Sequence, residues 1–358
     1  MMLTLLDRMI ARHVLYGTLV VLSVLLGLAM FLVFADSLSD YGKADFGLKA
    51  LVKYIVLSQP RQIYELFPIA ALIGTVMGLS TLAFGSELTA MRAAGISIAR
   101  IVGATLKVGV VFSLVTFFFG EYLVPVSENM AQLGRAKALA VGFQQTTSGV
   151  WLRSGNAFIN IGEVLPDLSL LRLTIYEFDH SSRLRSQISA LSARFQDDRW
   201  RLQKVSQSII VGQEAVQTLN KPTEEWQSGL TPEVVAVFAV QPASLSIQQL
   251  RNYLRHLEKN NQDTRNYRLV FWQKVFLPLA TIVMTLLATP FVFRHERSGG
   301  VGQRLLTGIM LGLAFVVLDR SFGYFGLLYG LPPLAGVLAS IALFFLLGLL
   351  LLWRAGRE

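Results

Sequence analysis

Residues 14–35 read VLYGTLVVLSVLLGLAMFLVFA, 22 positions without a charge. As a helix this stretch extends about 33 Å, enough to cross the ~30 Å hydrocarbon core of a bilayer. Arg8, Arg12 and His13 before it give the outline of a secretory signal. The apolar run is longer than the about 7–15 residues of a signal core, and no convincing small-residue cleavage site follows, so it reads as an uncleaved first span. Five more apolar segments follow, over residues 66–84, 98–126, 269–293, 305–318 and 334–353. The second has Pro68 near its start, where a missing N–H is tolerated. The third is interrupted by Lys107 and Glu121, and the fourth holds Lys274 near one end. The fifth is short and runs into Asp319 and Arg320, while Pro332-Pro333 opens the sixth.

Composition agrees with lipid as the solvent. Of 358 residues 53% are hydrophobic and 15% charged, against about 25% charged in a soluble domain. Cysteine is absent, which excludes disulfides and thiolate metal sites. The net charge of +9 fits cytoplasmic loops and anionic headgroups better than nucleic acid.

Between the third and fourth spans, residues 138–265 change character. Ala157-Phe158-Ile159-Asn160-Ile161, residues 171–176 and Arg199-Trp200-Arg201-Leu202 alternate apolar and polar side chains, the period of half-buried strands. Turn-like sequences at 154–156, 179–182 and 197–198 separate them. The segment closes with an amphipathic helix: Ser246 and Gln249 form a capping-box pattern, and Ile247, Leu250, Leu254 and Leu257 share one face. The expected architecture is an α-helical membrane protein with six transmembrane helices, three before (1–137) and three after (266–358) an inserted all-β domain.

Orientation follows from basic residues at the span ends. With the N-terminus inside, the cytoplasmic ends carry nine: Arg8, Arg12, Arg92, Arg100, Arg294, Arg297, Arg304, Arg354 and Arg357. The other side carries four: Lys43, Lys49, Lys53 and Arg61. The positive-inside rule then puts both termini in the cytoplasm and the β domain outside it.

Enzyme signatures are missing. There is no phosphate-binding loop of the G-x-x-x-x-G-K-[ST] type, no H-E-x-x-H and no G-x-S-x-G, and His13, His180, His256 and His295 are scattered. No cofactor, metal site or catalytic residue is expected. More informative is the connector between the second and third spans, Gly85-Ser86-Glu87-Leu88-Thr89-Ala90-Met91-Arg92-Ala93-Ala94-Gly95-Ile96-Ser97. It is helix-compatible and bounded by glycines. Leu88, Met91 and Ile96 give it an apolar face that could dock in a groove of a soluble partner, or it is a solvated amphipathic connector.

This connector resembles the coupling segment of the lipopolysaccharide export permeases, the LptF/LptG family. Leu6-Asp7-Arg8, Phe67-Pro68-Ile69-Ala70-Ala71-Leu72, residues 318–323 and Tyr329-Gly330-Leu331-Pro332-Pro333 resemble the same family in order and spacing, with the LptG branch the nearer match. The resemblance implies a periplasmic jellyroll-like β domain in a multi-pass protein of the bacterial inner membrane. It also implies a permease subunit of an ATP-driven (ABC) exporter that extracts lipopolysaccharide on the way to the outer membrane. The implied partners are a homologous permease subunit (LptF-like), a cytoplasmic ATPase dimer (LptB-like), a single-span accessory subunit (LptC-like) and a periplasmic bridge (LptA-like). Glu87 would be the charged contact to the ATPase, with Leu88, Met91 and Arg92 beside it.

Lipid A carries about six acyl chains of roughly a dozen methylenes. Exposing them at ~0.8 kcal/mol per CH₂ would cost on the order of 50 kcal/mol, so the route must stay apolar. The phosphates need cations at the outer face, for which Arg61, Arg135 and Lys137 are expected; interfacial anchoring is the plain alternative. Val33 stands where some relatives carry lysine, with Lys43 the nearest replacement. Leu311, Phe315, Leu318 and Phe322 fall on one face of the fifth span and are expected to line the lipid cavity, or to face bulk lipid. A Glu121–Arg320 or an Asp319–Arg320-centred network is expected to brace the third and fifth spans. Gly74-x-x-x-Gly78 and Gly308-x-x-x-Gly312 permit close helix approach. The other readings are a mechanotransmission or assembly scaffold coupled to an ATPase, and a lipid-modifying membrane enzyme.

Overall fold

The computed structural model describes residues 5–43, 45–139, 144–146, 149–154, 156–164, 168–179, 183–196, 199–211, 215–226, 232, 235, 242–259, 264–294 and 301–355. The expected turns at Gly155, residues 180–182 and 197–198 lie outside them, as do the side chains of Lys137, His256 and Arg294. In chain order the helices are α1 (Leu5–Ser37), α2 (Leu48–Phe84), α3 (Glu87–Ala93), α4 (Ile98–Phe118) and α5 (Val124–Leu139), with a π-helical turn, Phe119–Leu123, joining the last two. After the strands come α6 (Ile247–Lys259), α7 (Arg265–Arg294), α8 (Val301–Leu328) and α9 (Pro333–Ala355).

Among the described residues six helical stretches are long and apolar enough to cross a membrane. Two differ from expectation. Pro68 does not open the second span: α2 runs 37 residues with Pro60 and Pro68 inside it. The fifth span does not stop at Leu318: α8, 28 residues long in all, runs on through Asp319 and Arg320 to Leu328. The Ser340 hydroxyl of α9 donates to Asp319 at 2.6 Å, which satisfies that carboxylate within the helix pair.

Packing divides the chain into two units. The helical unit comprises Met1–Ala35, Ser58–Glu128 and Leu245–Glu358. Its core has two clusters. One gathers Ile10, Val14, Phe67, Leu79, Ile101 and Phe112; the other gathers Leu72, Met284, Leu287, Phe315, Ile341 and Phe344. Helices α1 and α2 cross at near backbone contact. A Cβ on Gly74 would stand 2.3 Å from Thr18 Cα, and one on Gly78 2.4 Å from the His13 carbonyl oxygen. The Gly74-x-x-x-Gly78 spacing therefore serves a contact within this chain. By contrast, only 11% of the apolar stretch of α1 and 17% of that of α8 are buried, so both helices turn most of their apolar surface outward.

The second unit comprises Asp36–Leu57 and Asn129–Ser244. Its described residues form an antiparallel sheet of seven strands in strictly sequential order: β1 (Gln144–Thr146), β2 (Gly149–Ser154), β3 (Ala157–Val164), β4 (Leu170–Phe178), β5 (Leu184–Gln196), β6 (Arg199–Val211) and β7 (Ala215–Trp226). Its buried face holds Ile159, Ile161, Leu173, Ile175, Ile188, Trp200 and Leu202, the apolar members of the alternation seen in the sequence. The ladder breaks along one line across the sheet. Pairing passes over Gly162, Arg172, Leu191, Lys204 and Pro222 on five successive strands. Arg172 and Lys204 there have φ of +51° and +52°, and Pro222 has no N–H to give, as suits the outermost strand of the order.

The amphipathic helix forms as expected. Gln249 Oε1 accepts the Ser246 N–H at 2.9 Å and Ser246 Oγ accepts the Gln249 N–H at 3.1 Å, a complete capping box. Leu250, Leu254 and Leu257 are buried. Packing places this helix with the membrane helices from Leu245 onward, twenty residues before the expected boundary at 265.

Candidate functional site

The connector after α2 folds into the short helix α3. Ser86, at φ +58°, turns the chain, and its carbonyl accepts the Ala90 N–H. The helix ends at Gly95, whose φ of +85° lets the Gly95 and Ile96 amides reach back to the Arg92 and Met91 carbonyls. Two residues later Ser97 Oγ caps α4 by accepting the Arg100 N–H. Seven residues cannot hold a helix by propensity alone, so α3 needs tertiary anchors. Leu88 and Met91 are those anchors, packed in the cluster of Ile10, Leu82 and Ile101.

This corrects the sequence reading. Leu88 (0% exposed) and Met91 (8%) do not offer an apolar face to a partner. Glu87, Thr89 and Arg92 form the exposed side.

Close by in sequence lies a charge cluster that sequence reasoning missed. Lys107 Nζ of α4 donates to Asp7 Oδ2 of α1 at 2.6 Å, and Arg100 Nη2 stands 3.2 Å from Asp7 Oδ1. Lys107 had been read only as an interruption of an apolar run. The signal was there: a lysine in a span demands an acceptor, and Asp7 is the one acid of α1 before its far end.

The expected cations engage separate acidic partners. Arg61 donates to Glu65 at 2.9 Å and to the buried Glu128 at 3.4 Å. Arg135 pairs with Asp40, donates to the Tyr54 hydroxyl at 3.2 Å and lies 5.0 Å from that ring's centre. Lys43 also reaches Asp40, at 3.0 Å. Arg135 borders a cleft of about 400 Å³ together with Lys49, Lys53, Tyr54 and Met130, an addition that residue spacing alone did not reveal. Lys49 and Lys53 are exposed.

The lining expected of the fifth span is also corrected. Phe315 is 5% exposed and meets Phe344 edge to face at 5.3 Å. Leu311 and Leu318 pack on the same cluster, and Phe322 is half-buried. Leu313 (56% exposed), Val317 (54%) and Phe325 (55%) stand on the outward side instead. An all-apolar helix carries no hydrophobic contrast to say which stripe faces in.

Nor does the expected Glu121–Arg320 network form. Glu121 accepts the Ile247 and Gln248 amides at 2.8 and 3.4 Å, Asp319 takes the Ser340 hydroxyl, and Arg320 is exposed. Among the described residues no group of three or more His, Asp or Glu is placed to hold a metal ion.

Comparison with known proteins adds an independent line. The family model described as "Lipopolysaccharide export system permease LptF/LptG" matches residues 8–354. The lipopolysaccharide export system permease protein LptG of Escherichia coli (strain K12) is 36% identical over 352 residues, covering 98% of each chain. The LptG protein of Haemophilus influenzae is 34% identical over 360 residues, covering 100% of this chain and 99% of its own.

Proposed function

The chain belongs to the LptF/LptG family of lipopolysaccharide export permeases, and from that premise we propose that it is one of two homologous permease subunits in an ATP-driven extractor of lipopolysaccharide. In this reading it sits in the bacterial inner membrane with both termini in the cytoplasm and the β unit in the periplasm. An ATPase dimer supplies the energy, a single-span subunit accompanies the permease, and a periplasmic bridge receives the lipid.

The observation that carries the reading is α3. Its apolar side chains are rooted in the same cluster as α1 and α4, while Glu87 and Arg92 lie on its exposed side. A push on such a short, rooted helix moves the spans with it. Glu87 and Arg92 are therefore the contacts to the ATPase, and Leu88 and Met91 pass the displacement inward.

For the lipid, Arg135 with Lys137, Lys49 and Lys53 supplies the cations that phosphates require at the outer face. Arg61, already held by two carboxylates, contributes less net charge there. Acyl chains run along outward apolar faces such as that of Leu313 and Val317, and Phe315, Leu311, Leu318 and Phe322 support that face from behind. The experiment is to purify the intact complex, identify its subunits by mass spectrometry, and place photocrosslinking probes at Leu313 and Arg135. Capture of lipopolysaccharide at both sites is expected. A complex that hydrolyses ATP without crosslinking lipid at either site would be a scaffold, and the transport reading would fall.

A further inference from the structure

Two charged residues within the spans find their partners in the backbone leading into α6. The third span is long: Glu121 lies roughly 35 Å along the helix from Ile98, at the far side of a bilayer. Here the helix widens to a π-turn over Phe119–Leu123, which inserts a residue and redirects the side chains beyond it. Gly120 lets the Tyr64 ring lie against this turn, since a Cβ there would stand 2.4 Å from it. Glu121 next to it accepts the amides of Ile247 and Gln248, the first two residues of α6, at 2.8 and 3.4 Å. From α7, the buried Lys274 donates to the Leu245 carbonyl at 2.5 Å and lies 5.5 Å from the Tyr64 ring centre. Residues 245–248 are thus held from both sides, by a carboxylate on their N–H groups and an ammonium on their carbonyl.

The capping box satisfies the Ser246 and Gln249 amides; those of Ile247 and Gln248, which water takes at an ordinary exposed helix start, are taken here by a carboxylate of another helix. Leu245 is also where the chain leaves the β-rich segment. We infer that Glu121 and Lys274 are positioning residues that clamp this return linker to the third and fourth spans, so that displacement of those spans is passed to the β unit through residues 245–248. The inference rests on the transport reading.

The test uses the complete complex with its ATPase, carrying Glu121→Ala, Glu121→Gln or Lys274→Met, and three readouts: amide hydrogen exchange at Ile247 and Gln248, ATP turnover, and lipopolysaccharide transfer to the bridge protein. In Glu121→Ala, exchange should quicken and transfer should fall, each on the order of ten-fold, with ATP turnover within about two-fold of the parent. Glu121→Gln keeps one carbonyl acceptor at the same reach and should recover much of the transfer. Lys274→Met should also lower transfer while sparing turnover. Unchanged exchange in Glu121→Ala overturns the clamp, and normal transfer despite fast exchange overturns the positioning role. Turnover and transfer falling together in all three variants marks a merely structural role and also overturns it. Should the parent complex transfer no lipid, the transport reading fails, and exchange alone decides whether the clamp exists.

Discussion

Asp7 Oδ2 of the first helix lies 2.6 Å from Lys107 Nζ of the third span, and the aspartate side chain is 1% exposed while the lysine keeps 29%. Arg100 makes a second cationic contact to the same carboxylate at 3.2 Å. A charge so enclosed persists only with partners, so each change at this cluster has a definite sign. Asp7→Asn leaves two cations without their acceptor and should cost about 2–4 kcal/mol. Lys107→Met, with Arg100 still in place and the lysine partly solvated, should cost about 1–2 kcal/mol. Thermal denaturation of the single and double variants in detergent checks this, and the double should lose less than the two singles combined.

The coupling helix separates anchoring from contact. Leu88→Ala removes a wholly enclosed side chain and should destabilise the chain by about 2–5 kcal/mol. Glu87→Ala, at an exposed position, should change stability by under about 0.5 kcal/mol and yet weaken co-purification of the ATPase. Denaturation midpoints measured beside pull-down yields distinguish the two. Full export with undiminished association in Glu87→Ala would remove its role.

The crossing of α1 and α2 predicts which glycines matter. Gly74→Ala places a methyl 2.3 Å from Thr18 Cα, where only backbone movement makes room, and should cost about 1–3 kcal/mol or more. Gly78→Ala should behave alike, its Cβ meeting the His13 carbonyl at 2.4 Å. Gly27→Ala and Gly103→Ala, with nothing within 4 Å, should be neutral or slightly stabilising. Folded yield and melting temperature of the four variants supply the check.

On the fifth span, stability and transport should respond to opposite faces. Phe315→Ala empties a packed site against Phe344 and should cost about 3–5 kcal/mol. Leu313→Ala, 56% exposed in the isolated chain, should leave the melting temperature nearly unchanged and reduce lipid crosslinking. Equal loss of stability in both would contradict the assignment of faces.

Much of the architecture was legible residue by residue. Uncharged runs such as residues 14–35 marked the spans, the alternation at 157–161 marked β3, and Ser246 with Gln249 marked the start of α6. The candidate site was legible only in part. The connector at 86–96 was found, but its apolar face was expected to meet a partner or solvent, whereas the chain itself encloses Leu88 and Met91. The same error befell Phe315, because on a helix apolar all round a buried stripe and a lipid-facing stripe have the same composition. Glu121 was recognised as needing a partner and found backbone amides in place of Arg320, while Lys107, for which no partner was foreseen, found Asp7 a hundred positions away.

The division has a physical basis. Span length, strand period and capping depend on neighbours within a few residues, so the amino-acid order alone settled that six helices flank a β segment. Which faces close on one another, and which acid meets which base, depends on encounters between distant segments. In lipid the hydrophobic effect no longer sorts inside from outside, leaving close packing at Gly74 and Gly78 and the pairing of Asp7, Glu121 and Lys274 to select one arrangement. Those selections belong to the tertiary structure.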